Sequence, residues 1–210
     1  MSYELDDDMR NFLIRHKAEL QRNDLNAVYT DILDEFGNVY IPEFTKFFLS
    51  KGINPLKYFS KTIPQACFYE IPDIGERLEI KPGTTDIGFS AFLKCNSLKE
   101  VSFPSSLEYI GNKAFYNCMH LEKVYFRSEL TGMGSNVFGY CPRLSDIYVP
   151  WAQDSSADTE SLALFGIYPD TKIHYNSHKN NHLSDIIHLI EYIRPNYKLC
   201  QLRGLSHQLH

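Results

Sequence analysis

Residues 84–152 read TTDIGFSAFLKCNSLKEVSFPSS (84–106), LEYIGNKAFYNCMHLEKVYFRSE (107–129) and LTGMGSNVFGYCPRLSDIYVPWA (130–152). These are three copies of one 23-residue unit. Gly88, Gly111 and Gly134 recur at that step, as do Phe92, Phe115 and Phe138, and Cys95, Cys118 and Cys141. The triplets Leu98/Val101/Phe103, Leu121/Val124/Phe126 and Leu144/Ile147/Val149 keep the same register. Self-similarity at a fixed short period marks a repeat architecture.

One unit explains its own residues. The spacing L-x-x-L-x-L sends three apolar side chains of a short strand into a core and the alternate ones outward. The glycine starts a turn where a side chain would obstruct the chain or demand an unfavourable backbone angle. The phenylalanine slides a ring under the convex side, and the cysteine serves as a small buried apolar group. A single coil cannot bury both its faces, so each copy needs a neighbour.

The pattern resembles the BspA-like leucine-rich repeat family, whose consensus runs roughly IG-x-x-A-F-x-x-C-x-x-L-x-x-V-x-I-P. Ile87-Gly88, Ala91-Phe92, Cys95, Leu98, Val101 and Phe103-Pro104 carry the match in the first copy. Ile110-Gly111, Ala114-Phe115, Cys118, Leu121, Val124 and Phe126 carry it in the second. The third copy departs at Met133 and Val137 and returns at Pro150. The resemblance covers residues 61–176 and implies an α/β solenoid: a right-handed coil with short parallel strands near 78–80, 101–103, 124–126, 147–149 and 173–175. It is specific for fold and poor for function.

Around this array the chain divides into a helical N-terminal cap (1–60), the leucine-rich repeat solenoid (61–176) and a C-terminal helix with a tail (177–210). Residues 5–22 read as one helix, with Asp6, Asp7 and Asp8 at its N-terminus, where negative charge is favourable. Leu25, Val28, Tyr29, Ile32 and Leu33 follow a helical stripe ending at Phe36-Gly37. Pro42 opens a third helix that stops at Gly52, with Phe44, Phe47, Phe48 and Leu49 inside. The block is either a separate partner-binding module or a shield for the first coil. Solenoid ends need covering, which favours the shield.

Residues 61–83 form a degenerate first coil on Ile63, Phe68, Leu78 and Ile80; it lacks the repeat cysteine and carries a length change. After Trp151 a polar insertion with an apolar knot at Leu162, Leu164 and Phe165 precedes a last strand, with Ile173 and Tyr175 inward. Leu183, Ile186, Ile187, Leu189, Ile190 and Ile193 then mark an amphipathic helix that stops at Pro195. That helix either folds back on the last coil or meets a second copy. Leu189 lies off the main stripe, so Ile186, Leu189, Ile190 and Ile193 predict a homodimer contact.

Composition bounds the function. The chain has 210 residues, 43% hydrophobic, and a formal net charge of −5. This suits a globular core and argues against a protein held by nucleic-acid phosphates. No apolar run reaches the roughly 18–20 residues of a membrane span. The acidic MSYELDDDMR lacks the order of a secretory leader. Five cysteines, three of them repeat positions that stacking aligns rather than pairs, point to a reducing, cytoplasmic setting.

Chemistry is hard to find. His174, His178 and His182 are spaced by four, but His174 belongs to a strand and no further metal ligand is near. Cys118 and His120 are close, yet the register buries Cys118, and a nucleophilic thiol needs exposure. There is no phosphate loop, nucleophile elbow or HExxH. No metal, cofactor or enzymatic activity is expected.

The outward strand positions are more informative. One column reads Glu79, Ser102, Tyr125, Tyr148, His174; its neighbour reads Arg77, Glu100, Lys123, Asp146, Lys172 and alternates in sign. Adjacent strands lie about 4.8 Å apart. The charges read as a ladder that stabilises the sheet, the tyrosines as anchors for a protein partner. The partner-binding set is therefore Glu79, Ser102, Lys123, Tyr125, Asp146, Tyr148 and His174.

A non-catalytic protein-interaction scaffold is the leading reading. The competing one is an assembly protein that self-associates through its terminal helices; a motif-free enzyme is a third. The helical preface ending in Phe48-Leu49-x-x-Gly52-Ile53-Asn54-Pro55 ahead of a small array also resembles bacteriophage and prophage proteins. That resemblance implies action in the bacterial host cytoplasm, on a host defence protein.

Overall fold

The structure is a computed structural model, and it describes residues 5–22, 25–150 and 165–175. Four helices come first: α1 (Asp7–Arg15), α2 (Lys17–Gln21), α3 (Leu25–Phe36) and α4 (Ile41–Ser50), then a 3₁₀ turn at Pro55–Lys57. Asp6 caps α1, its carboxylate accepting from the Met9 amide at 2.8 Å. The single helix expected over 5–22 is instead two, broken at His16. The His16 ring stacks on Phe12, faces the Phe12 carbonyl oxygen through Nδ1 at 2.9 Å, and meets Asp31 of α3 through Nε2 at 3.0 Å. These contacts hold the ring at the break and tie α1 to α3. α4 ends as the sequence implies: Gly52 is left-handed at φ 76°, and the Ile53 amide donates to the Phe48 carbonyl. Within α4, Phe44 and Phe48 are buried, whereas Phe47 and Leu49 are only partly so.

The helices cap the solenoid. Their buried residues and those of the coils form one continuous core, from Leu5 to Ile167. A buried polar contact fastens the two. Tyr29 Oη lies 2.6 Å from Thr45 Oγ1, which donates to the Ile41 carbonyl and approaches Cys67 Sγ of the first coil at 3.6 Å. Burial pushes the Cys67 thiol up to about 12 and raises the Tyr29 phenol. Thr45→Val removes the hydroxyl but little volume and leaves the buried phenol only the weak Cys67 thiol as a partner. We expect a loss of about 1–3 kcal/mol in urea unfolding; an unchanged midpoint would show that the phenol finds another partner.

Each of the first four coils contributes to two parallel sheets, and the last described coil adds a strand to one of them. Strands β1 (Thr62–Ile63), β3 (Asp86–Ile87), β5 (Tyr109–Ile110) and β7 (Gly132–Met133) form one. Strands β2 (Arg77–Glu79), β4 (Glu100–Ser102), β6 (Lys123–Tyr125), β8 (Asp146–Tyr148) and β9 (Lys172–His174) form the other. The five-stranded sheet is the one expected, set one residue earlier. The final inward residue of a coil still donates across it, as Phe103 does to the Tyr125 carbonyl, but lies past the paired stretch. The four-stranded sheet was not anticipated. Its trace in the sequence is the apolar residue before each repeat glycine: Ile87, Ile110 and Met133.

The first coil pairs Ile63 with Ile87, 24 residues on, but Leu78 with Val101, 23 on. Its extra residue therefore falls between, in the stretch 72–75 where Gly75 is left-handed. In this register Ile71 takes the cysteine position and Cys67 the alanine position. Both are buried.

The repeat glycines answer to close approach rather than to backbone angle. A Cβ on Gly111 would sit 2.7 Å from the Phe89 nitrogen and 2.8 Å from the Gly88 carbonyl carbon; one on Gly134 would sit 2.3 Å from the Asn112 nitrogen. Backbone of the previous coil fills the space, and it cannot step aside as a flexible side chain could. Pro64, at the matching place in the first coil, has no earlier coil to meet.

Phe68, Phe92, Phe115 and Phe138 stack ring on ring, with centroids 5.0–5.8 Å apart. Beside them the cysteine thiols donate to phenylalanine carbonyls of the preceding coil: Cys95 to Phe68 at 3.1 Å, Cys118 to Phe92 at 3.2 Å, Cys141 to Phe115 at 3.1 Å. The cysteine is thus more than a small apolar filler; its thiol ties one coil to the next, as a second donor to the Phe68 and Phe92 carbonyls, which also accept the Ile71 and Cys95 amides. Cys67, Cys95, Cys118 and Cys141 are buried and unpaired. Cys200 and the self-association residues Ile186, Leu189, Ile190 and Ile193 lie outside the described residues, as do Leu162, Leu164 and the rest of the C-terminal helix. Phe165 and Ile173 pack against the core, and Thr171 donates to the Leu144 carbonyl at 2.8 Å.

Candidate functional site

The outward face of the five-stranded sheet brings the expected partner-binding residues together. Arg77, Glu100, Lys123, Asp146 and Lys172 stand in register across it, and so do Glu79, Ser102, Tyr125, Tyr148 and His174. Strand alternation aims both columns outward while Leu78, Val101, Val124 and Ile147 stay buried between them.

Three rings of the second column form a stack. Tyr125 and Tyr148 lie 4.7 Å apart at 9°, and Tyr148 and His174 lie 4.3 Å apart at 10°. These separations follow the strand spacing, so the sheet itself sets the rings parallel. His174 Nε2 meets Asp146 Oδ1 at 2.7 Å, which fixes the end ring. The charge column departs from the simple alternation. Arg77 and Glu100 pair at 3.3 Å, but Lys123 makes no direct ion pair with Glu100 or Asp146. Asp146 instead accepts from Ser145 Oγ at 2.7 Å and turns to His174. The Ser145 hydroxyl and then His174 hold its carboxyl below the usual aspartate range.

A shallow cavity of about 360 Å³ opens at the β2 side of the stack, lined by Arg77, Glu79, Glu100, Ser102, Tyr125 and Arg127 among others. Arg127 follows β6 and reaches back over two strands, its Nη2 lying 3.4 Å from Ser102 Oγ and 3.5 Å from Glu79 Oε1. Arg127 was missed in the sequence because it lies beyond the paired positions and breaks the repeat's proline.

A second aromatic group lies at the turns. Tyr116 and Tyr140 rings are 5.1 Å apart and tilted, and Tyr140 is 64% exposed. Burial and then the Tyr140 and Tyr168 phenols raise the Tyr116 phenol. Elsewhere, the Cys118 thiol is pushed up by the neighbouring Cys141 and by burial, while His120 Nδ1 meets the Asn96 carbonyl at 2.7 Å. They form no nucleophile–base pair. His178 and His182 lie outside the described residues. Among the described residues no cluster of metal-ligating side chains gathers, and no helix is long and apolar enough to cross a membrane.

Residues 61–164 match the family model described as BspA type leucine rich repeat region (6 copies). This segment belongs to the BspA-type leucine-rich repeat family, whose repeats generally mediate protein–protein contacts and are typically non-catalytic. A crystal structure of a leucine-rich repeat protein from Bacteroides ovatus is similar over 55% of this chain, at 25% identity and a TM-score of 0.46. The match spans 28% of that protein's length. No curated protein matches the sequence.

Proposed function

We propose that this protein is a non-catalytic interaction scaffold whose partner site is the outward face of the five-stranded sheet. The observation that carries this reading is the ring stack of Tyr125, Tyr148 and His174, half-buried on the outward face of the sheet, which no helix among the described residues covers. Aromatic side chains on a rigid support lose little entropy on binding and dominate contact energies. Glu79, Ser102, Lys123 and Asp146 supply the polar surround. The apolar last segment around Ile186–Ile193 adds self-association as a homodimer.

The finer reading places the protein in a bacterial cytoplasm as a phage-encoded binder of a host defence protein. It rests on the resemblance of the helical preface and on the thiol-rich core, which suits a reducing compartment.

The test is capture from a bacterial lysate by the full-length protein and by Tyr125→Ala/Tyr148→Ala. The double variant loses two half-buried, outward-facing rings, so its melting temperature is measured alongside and capture is compared at a temperature where both proteins are folded; the ring pair itself adds only about 0.5–1.5 kcal/mol. A protein retained by the wild type and lost by the variant is the expected result. Equal capture by both would remove the sheet face from the account.

A further inference from the structure

The ring column is unfinished. Its five places hold Glu79, Ser102, Tyr125, Tyr148 and His174, and rings occupy the last three at the spacing of the strands. The next place along is Ser102, the smallest side chain of the column. The cavity opens there, with Tyr125 on one side and Glu79 on the other. Among the described residues no ring stacks on Tyr125 from the Ser102 side, and no cation lies over its face.

The rim of this place carries two arginines, Arg77 and Arg127, beside two glutamates, Glu79 and Glu100, and the arginines are under-used. Arg127 is 60% exposed and reaches Ser102 and Glu79 only at 3.4–3.5 Å, the weak end of hydrogen bonding. Arg77 is 80% exposed and meets Glu100 through Nε alone. Neither makes the two-pronged contact a guanidinium can make with a carboxylate, so donors remain open on both.

We propose that the gap over Ser102 is a slot for an aromatic side chain of a protein partner, which enters as the next rung on Tyr125, with an acidic residue beside it taken by Arg127 or Arg77. The inference rests on the sheet face as the partner site and names the chemistry that face recognises: an aromatic residue next to a carboxylate. Ring stacking provides the anchor, and the arginines discriminate against a basic neighbour.

The test uses N-acetyl-Glu-Trp-amide as the probe, titrated into the full-length protein to millimolar concentration. The Ser102 amide and the Arg127 Nε–H are followed by NMR. Both signals should shift and saturate together. N-acetyl-Lys-Trp-amide should bind about fivefold more weakly, as expected for loss of one exposed charge pair. N-acetyl-Glu-Ala-amide and cellobiose should leave the signals in place. Ser102→Tyr fills the slot from within and should abolish the shift of Arg127 Nε–H. Should Ser102→Tyr melt early, Arg127→Glu provides the second variant and should reverse the preference between the acidic and basic probes. Absence of shifts with the acidic probe, equal shifts with the basic one, or shifts with cellobiose overturns the slot. If Ser102→Tyr still captures the partner that Tyr125→Ala/Tyr148→Ala loses, the face stands and the slot alone fails.

Discussion

Phe115→Ala lowers the stability of the whole described array by about 3–5 kcal/mol. The ring is fully buried, stacked between Phe92 at 5.0 Å and Phe138 at 5.8 Å, with the edge of Phe103 at 5.6 Å. Removing it opens a void between two coils that cannot close, because the Gly88–Gly111–Gly134 line already holds the coil backbones in contact. A coil supports only its neighbours, and this array has few. A domain stable by the usual 5–15 kcal/mol would lose a large share of that. Urea unfolding should show one transition at a much lower midpoint. Phe115→Leu, which keeps most of the volume, should cost under half as much. A wild-type midpoint for Phe115→Ala would place the ring outside the core and cancel the register.

Alkali should unfold the protein steeply. Burial holds the Cys67 thiol up at about 12 and Cys95 higher still, and the Cys141 neighbour together with burial raises Cys118 well above an ordinary thiol. In the unfolded chain these groups titrate near 8.5. The folded values are raised, so the folded state keeps protons that the unfolded state has released. Stability is therefore undiminished below about pH 8 and falls as pH rises past the unfolded value. Three such thiols together remove about 4 kcal/mol between pH 9 and pH 10. The Tyr29 phenol adds to the loss above pH 10, where an ordinary tyrosine begins to ionise. Denaturant midpoints at pH 7, 9 and 10, taken with reductant present, measure this. A flat profile from pH 9 to 10 would mean that the thiols reach water in the folded state.

The repeat was open to view in the sequence because its physics is periodic. Leu98, Val101 and Phe103 face one core because a strand alternates, and the 23-residue step repeats that demand. Three features were hidden. The second sheet has strands of two residues, too short for alternation to show. Ser90, Lys113 and Asn136, and likewise Lys94, Asn117 and Tyr140, adopt left-handed backbone at φ 52–60°. Only some of them are residues that advertise it; the amides of Ser90, Lys94, Lys113 and Asn117 donate to carbonyls of the next coil, as Lys113 does to Ser135, and those bonds hold the conformation. The thiol-to-carbonyl bonds were hidden too, since they join residues 26 or 27 apart that periodicity marks only as buried. Of the candidate site, both columns could be read because the strand register carries them. Arg127 could not, because a side chain that doubles back over two strands leaves no periodic mark. The turn at His16 depends on Asp31, fifteen residues on, and could not be read from the apolar stripe.

The sheet face is the centre of the functional account, and the turn tyrosines offer an internal control. Capture of a lysate protein by Tyr125→Ala/Tyr148→Ala, set beside capture by Tyr116→Ala/Tyr140→Ala, tests it most directly. Each variant removes one pair of neighbouring rings from a different side of the same solenoid. The account predicts that the first loses the partner and the second keeps it. Retention by the first with loss by the second would contradict it and move the site to the turns.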